Sequence, residues 1–203
     1  MIRFTNYANI CNNYCICYFG YSDEYLVQLK LLQPIIERHM KGLNIYLGCR
    51  DEKVGILSGC ERILKIADLK VRKDDFAHIR ELQYNGSTHP IEDLMKEVGD
   101  IDYRINPSIQ GDRTVKCVII TKSNHPTSSL LEKQTKTLSI MAKEEGYSVE
   151  FDSDISNSGL VMGVESYGLF EAASRGIETR LVPTGVGTRL YKRMFPNSKV
   201  LNV

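Results

Sequence analysis

Blocks of like charge are missing from this chain. Its 26 Lys and Arg nearly cancel 25 Asp and Glu, and no five residues of one sign stand together. Bulk electrostatics therefore indicate neither a nucleic-acid partner nor an anionic membrane surface. No stretch approaches the roughly 18 apolar residues of a membrane span, and Asn12-Asn13 interrupts the only apolar candidate near the N-terminus. The expectation is a cytoplasmic protein without a leader or transmembrane segment. Histidine is scarce, with four in 203 residues, and none of the six cysteines (11, 15, 17, 49, 60 and 117) forms a CxxC pair. Cys11, Cys15 and Cys17 gather at one predicted strand, where small core side chains are a better reading than a metal site, so the expectation is reduced, mostly buried thiols and no metal.

Several catalytic signatures are also missing. The first predicted strand is followed by Gly20 alone before Tyr21, which is no GxGxxG dinucleotide fingerprint. GxxxxGK[ST] and HExxH are absent, and no GxSxG elbow precedes a helix. Phosphate-loop, zinc-hydrolase and serine-hydrolase chemistry thus have no support, and no cofactor is expected.

The stretch from Gly159 to Thr188 organises what is present. Leu160 to Val164 reads as a short apolar strand. After Glu165-Ser166 comes a helix whose Leu169, Phe170, Ala172 and Ala173 can face a sheet, and Gly176 stops it. Ile177 to Val182 is the next strand, and Gly185 and Gly187 open a turn where backbone N–H groups can converge on one phosphate or simply make a tight bend. The polar residues of this strand–helix–strand unit collect where its first strand ends, which is where open α/β sheets bind ligands.

Other segments repeat the pattern. Tyr14 to Phe19 and Leu43 to Leu47 are strands joined by a helix from Gly20–Glu24 to Met40, which Pro34 should bend or divide. Ser22 or Asp23 can cap that helix. A short helix at 51–60, a strand at 62–66 and a polar passage through Lys73 follow, and then helical segments at 76–82 and 91–98. Gly99 to Thr114 lacks periodicity and carries Gly99, Pro107 and Gly111, so a domain boundary is placed near residue 110. Beyond it come strands at 116–121 and 147–151 around a helix at 129–145, the organising unit, a helix at 189–195 and a last strand near 199–201. The expected architecture is α/β: two small Rossmann-like halves, 1–110 and 111–203, with parallel sheets facing a cleft.

The run GVESYGLFEAASRG, followed by a strand and Pro183-Thr184, resembles the nucleotide-sugar-binding segment of two-domain, GT-B-type glycosyltransferases, most nearly the heptosyltransferase-like family. Glu165 falls on that family's acidic position, Ser166 on its serine, Ala172 and Ala173 on small residues and Gly176 on the closing glycine. Tyr167 stands where the family has glycine, and Phe170 where it has a histidine that helps hold donor phosphate. In the first half, Asp23 or Glu24 falls on the position of the presumed catalytic base, although the family's small-residue turn is here Tyr21-Ser22. The chain is also much shorter than usual members.

The resemblance implies transfer of a sugar from a nucleotide diphosphate donor to a hydroxyl on a glycan or small acceptor. Asp23, with Glu24 as runner-up, would take the acceptor proton. Lys122, Arg189 and the backbone of Gly185, Gly187 and Thr188 would meet the diphosphate. Glu165 would accept from sugar or ribose hydroxyls, and Ser166 would cap a helix beside a phosphate. His125 is a further candidate for substrate contact, whereas Glu171, six residues after Glu165, belongs to a different helix face. Two other readings stand beside this one: an α/β binding or regulatory module without catalysis, and a nucleotide-sugar epimerase-like enzyme. Pairing with a second copy is also open to a small sheet.

Overall fold

The computed structural model of the protein describes residues 12–84, 89–99, 101–107, 114–123, 129–184 and 187–203. The chain divides into two compact units, Met1–Tyr103 and Arg104–Val203. The boundary expected near residue 110 falls at 108–113, outside the described residues.

The first unit is a four-stranded sheet in the order β3-β2-β1-β4: β1 (Asn13–Tyr18), β2 (Asn44–Cys49), β3 (Ile63–Lys65) and β4 (His78–Glu81). Every ladder in it is parallel. β1 lies between two neighbours and is covered on both faces, which is why its sequence shows no polar alternation. On one face Cys15 and Cys17, their sulfurs 3.2 Å apart, pack with Leu64, Leu69 and Phe76. Burial raises the Cys49 thiol to about 11, so these cysteines behave as core side chains.

Helix α1 (Asp23–His39) is continuous, so Pro34, expected to bend or divide it, does not divide it. Pro34 is exposed while Leu32, Ile35 and Ile36 around it are buried, so water can satisfy the carbonyl that proline leaves without an amide partner. The segment 76–82, expected to be helical, instead contains β4. Its Phe76, Ile79 and Leu82 have a helix-like spacing, but the second edge of β1 is open, and pairing from Tyr14↔His78 to Cys17↔Glu81 satisfies backbone groups along both strands. The passage expected to be merely polar contains α2 (Ile66–Arg72), whose one buried residue, Leu69, gives no legible period. The short helix near 51–60 is a 3-10 helix, Asp51–Leu57, and α3 spans Pro90–Val98 with proline at its start.

The second unit is a five-stranded parallel sheet in the order β6-β5-β7-β8-β9: β5 (Lys116–Ile120), β6 (Ser148–Phe151), β7 (Leu160–Gly163), β8 (Glu178–Leu181) and β9 (Lys199–Val200). Helices α4 (Glu132–Glu144), α5 (Tyr167–Ser174) and α6 (Thr188–Met194) make the crossovers. Alternate residues of β5 and β7, namely Cys117, Ile119, Leu160 and Met162, meet Leu138 and Ala142 of α4 in one buried cluster. A buried cation lies elsewhere on this sheet. Arg180, 5% exposed, donates at 2.5 Å to each carboxylate oxygen of Glu145, just after α4, and also to Glu178.

Arg180 holds the Glu145 carboxyl below its ordinary range. A carboxylate lowered in this way contributes stability above its unfolded pKa of about 4.3 and loses that contribution as pH falls through the folded value. Glu145→Gln should therefore cost about 1 kcal/mol at neutral pH: it strips one partner from a buried guanidinium, but the Glu145 side chain is 43% exposed, so solvent screens the pair, and Glu178 remains. Urea unfolding at a series of pH values should show the difference from wild type shrinking below about pH 4.

Candidate functional site

In the second unit the chain leaves β5 through α4 to β6 on one side, and leaves β7 through α5 to β8 on the other. Adjacent parallel strands whose connections diverge leave a crevice at their carboxyl ends. Lys122 follows β5, Glu165 and Ser166 follow β7, and Gly187, Thr188 and Arg189 begin α6 after β8, so these candidates gather along one sheet edge. Gly185 and His125 lie outside the described residues.

The approach of β5 to β7 at this edge depends on Gly163. A Cβ there would stand 2.3 Å from the Ile120 carbonyl oxygen, and the residue has φ +155°. Ser166 then caps α5, its hydroxyl accepting from the Leu169 amide at 3.2 Å. Glu165 is buried, 4% exposed, and its carboxylate is engaged by the chain itself. It accepts from the Thr184 amide (3.2 Å to Oε2), the Thr184 hydroxyl (2.5 Å) and the Thr188 hydroxyl. Glu165 is thus a clasp joining the end of β7 to the start of α6, where Gly187 adopts the left-handed conformation at φ 100°. Lys122 and Arg189 are exposed.

Phe170 is fully buried. It meets Tyr191 edge-on at 5.0 Å and Phe195 at 6.2 Å, which locks α5 onto α6. Burial raises the Tyr191 phenol to about 12, and its hydroxyl donates to Thr179 at 2.7 Å. On the other flank of α5 a groove of about 350 Å³ is lined by Ile120, Asp152, Ile155, Tyr167, Gly168 and Glu171. Glu171 is ion-paired with Arg175. Asp152, with φ 44°, accepts from the Thr121 amide at 2.8 Å and so fixes the end of β5.

In the first unit the corresponding edge is the carboxyl end of β1, from which α1 departs. Ser22 is the N-cap residue without a side-chain capping bond, and Asp23 and Glu24 place negative charge in the first turn. Asp23 forms an ion pair with Lys53, both side chains being 22% exposed. Glu24 is buried at 3%. The turn before them is fixed from two sides: the Ser22 amide donates to the Tyr18 hydroxyl at 3.3 Å, and Arg50 Nε donates to the Phe19 carbonyl at 2.7 Å. Sequence reasoning misses both Lys53 and Thr184 as partners of these acids. Lys53 arrives from the β2–β3 connection with no local signal, whereas Pro183-Thr184 is a visible strand end whose hydroxyl gives no hint of its acceptor.

No protein-family model matches the chain, and no curated protein matches it significantly. Solved structures align with it, among them two E. coli glycosyltransferases. The iron-containing dodecameric glycosyltransferase TibC, from an enterotoxigenic E. coli, superposes with a TM-score of 0.56 at 12% identity, over 83% of this chain and 57% of TibC. The E. coli heptosyltransferase WaaC with ADP superposes with a TM-score of 0.52 at 11% identity, over 93% of this chain and 92% of WaaC.

The fold is GT-B-like. Its two Rossmann-like parallel-sheet halves are those expected from the residues around Glu165 and Asp23. The chain spans 57% of the length of TibC. Among the described residues no group of three or more His, Cys, Asp or Glu side chains is placed to hold a metal ion. In this GT-B-like second half the clasp is directly testable. Glu165→Ala should speed hydrogen exchange at the Thr184 amide by about tenfold or more, read by NMR, because one charge-assisted hydrogen bond is lost. Gly163→Ala should lower stability by about 2 kcal/mol in urea unfolding, since the added methyl meets backbone rather than a side chain that can move.

Proposed function

We propose that the chain is a glycosyltransferase that moves a sugar from a nucleotide diphosphate donor to a hydroxyl acceptor. The observation that carries this reading is the second half's carboxyl edge, where a Ser166-capped helix, a left-handed Gly187 and a carboxylate clasp all attend one switch point. Backbone N–H groups at the start of α5 offer a seat for phosphate, and Lys122 and Arg189 supply mobile positive charge for the departing diphosphate. The groove beside α5 has room for a nucleoside. WaaC, which shares the fold, was solved with ADP, which favours a nucleoside diphosphate as the ligand of this half.

In the first half Asp23 is the preferred base over Glu24, because Asp23 remains partly exposed while Glu24 is buried. As the acceptor hydroxyl passes its proton to the Asp23 carboxylate, its oxygen bonds the anomeric carbon. The bond from that carbon to the phosphate oxygen breaks, and the nucleoside diphosphate leaves with the electron pair. Glu165, held by Thr184 and Thr188, supports this chemistry by bracing the residue after β8 and the start of α6, and reaches a sugar hydroxyl only with those contacts exchanged. Phe170 favours a second reading, a binding module without catalysis. The residue at the family's histidine position is core, so it offers no donor to phosphate.

Thermal unfolding with UDP, GDP, ADP, CMP and their sugar conjugates, with NAD as control, tests the donor site. A nucleotide at 100 times its Kd should add about 2.7 kcal/mol to the stability of the folded state. Asp23→Asn should keep that stabilisation while cutting sugar transfer about 100-fold or more. No stabilisation by any of the panel would remove the donor assignment. Nucleotide binding without transfer in wild type would leave the binding module.

A further inference from the structure

We propose that Tyr21 is a stacking platform for a pyranose ring of the acceptor, which makes the acceptor a carbohydrate; the proposal rests on the transferase reading and names the ligand of its first half. Tyr21 is 72% exposed, yet it is held in place. The Arg50 guanidinium carbon lies 4.5 Å from its ring centroid, and the same guanidinium is tied back to the Phe19 carbonyl at 2.7 Å. One ring face is therefore occupied by a cation while the other remains open. The backbone beneath is equally constrained. The Ser22 amide is bonded to the Tyr18 hydroxyl, and that ring folds so closely over Gly20 that a Cβ there would stand 2.2 Å from its oxygen.

A tyrosine ring has only two side-chain torsions to order, and one braced by a guanidinium gives contact area at little ordering cost on binding. Its place gives the contact meaning, because Tyr21 precedes by two positions the carboxylate assigned as base. The flat C–H face of a pyranose suits an open aromatic face, and its hydroxyls would find an acceptor in Asp23 and donors in Lys53 and Arg50, which come from the same β2–β3 connection. Stacked nucleobases are the other common partners of such a ring, but they bring a phosphate chain, and this protein carries a net charge of only +1. Tyr21 also stands where the resembled family has a small residue, so the platform belongs to this chain and not to the general fold.

The test is an NMR titration of the full chain labelled with 13C-tyrosine. The probes are the methyl pyranosides of glucose, galactose, mannose and glucuronic acid, with sorbitol as an open-chain polyol control. At least one pyranoside should shift the Tyr21 ring signals saturably, and sorbitol should not. Tyr21→Phe should bind within about twofold of wild type, and Tyr21→Ala about tenfold more weakly. The exposure of the side chain makes both variants foldable, and their urea midpoints verify this. Silence of Tyr21 toward every pyranoside at tens of millimolar, or equal binding by Tyr21→Ala, overturns the proposal. A Tyr21 response without nucleotide stabilisation would keep Tyr21 as a pyranose platform but sink the transferase reading and with it the word acceptor; nucleotide stabilisation and sugar transfer with Tyr21 silent would keep the transferase and overturn the platform.

Discussion

Parallel strand pairing is the constraint from which the rest of this structure follows. A parallel ladder cannot be closed by a tight hairpin, so each named strand must hand the chain to a crossover that returns it to the same end of the sheet. Within each unit the strand carboxyl ends consequently share one edge, and the residues just beyond them share it too. Asp23 after β1 in the first unit, and Lys122 after β5, Glu165 after β7 and Thr188 after β8 in the second, occupy such positions. Strand order then selects where along the edge a ligand fits. β1 is flanked by β2 and β4, and β5 by β6 and β7, so the chain diverges beside each of these two strands.

Satisfying the polar groups brought to that edge is the second requirement. The structure meets it with long-range pairs. Glu165 takes hydrogen bonds from Thr184 and Thr188, Asp152 fixes Thr121, and Asp23 meets Lys53. Each pair ties the end of one strand to a segment that follows another, so the edge is held by side chains as well as by the ladders beneath it. Where a backbone must approach closely there is no side chain at all, as at Gly163 against the Ile120 carbonyl.

Much of this architecture was legible in the sequence because its signals are local. The apolar run YCICYF, the strand–helix–strand unit ending at Gly176 and the acids after the first strand each announce themselves within a few residues. The misread segments are those decided by partners far away. Residues 76–82 have a helical spacing, yet the open edge of β1 draws His78–Glu81 into a strand. α2 buries only Leu69 and so shows no period, and Pro34 leaves α1 intact because it faces solvent. The candidate site divides in the same way. Positions such as Glu165 and Ser166 could be placed by order along the chain, and Ser166 is the cap that the sequence allows. The clasp by Thr184 and Thr188 and the pairing of Asp23 with Lys53 connect residues about 20 to 30 positions apart, a separation at which residue type alone does not select a partner.

Phe170 shows how one apolar substitution redistributes the roles of the edge. Its ring lies between the two helices that follow β7 and β8, against Tyr191 and Phe195. That burial strengthens the seat of α5 and α6 but removes a polar side chain from the place where the resembled family keeps histidine. On the reading proposed above, an anion at this edge would be met, among the described residues, by backbone amides, by hydroxyls or by the exposed Lys122 and Arg189. Backbone amides are positioned only as well as the segments that carry them, and here the start of α5 is held by Ser166 and the start of α6 by Glu165. The acidic residue that looks like a ligand contact in sequence is thus first a structural brace, keeping in register the backbone on which an anion would have to sit.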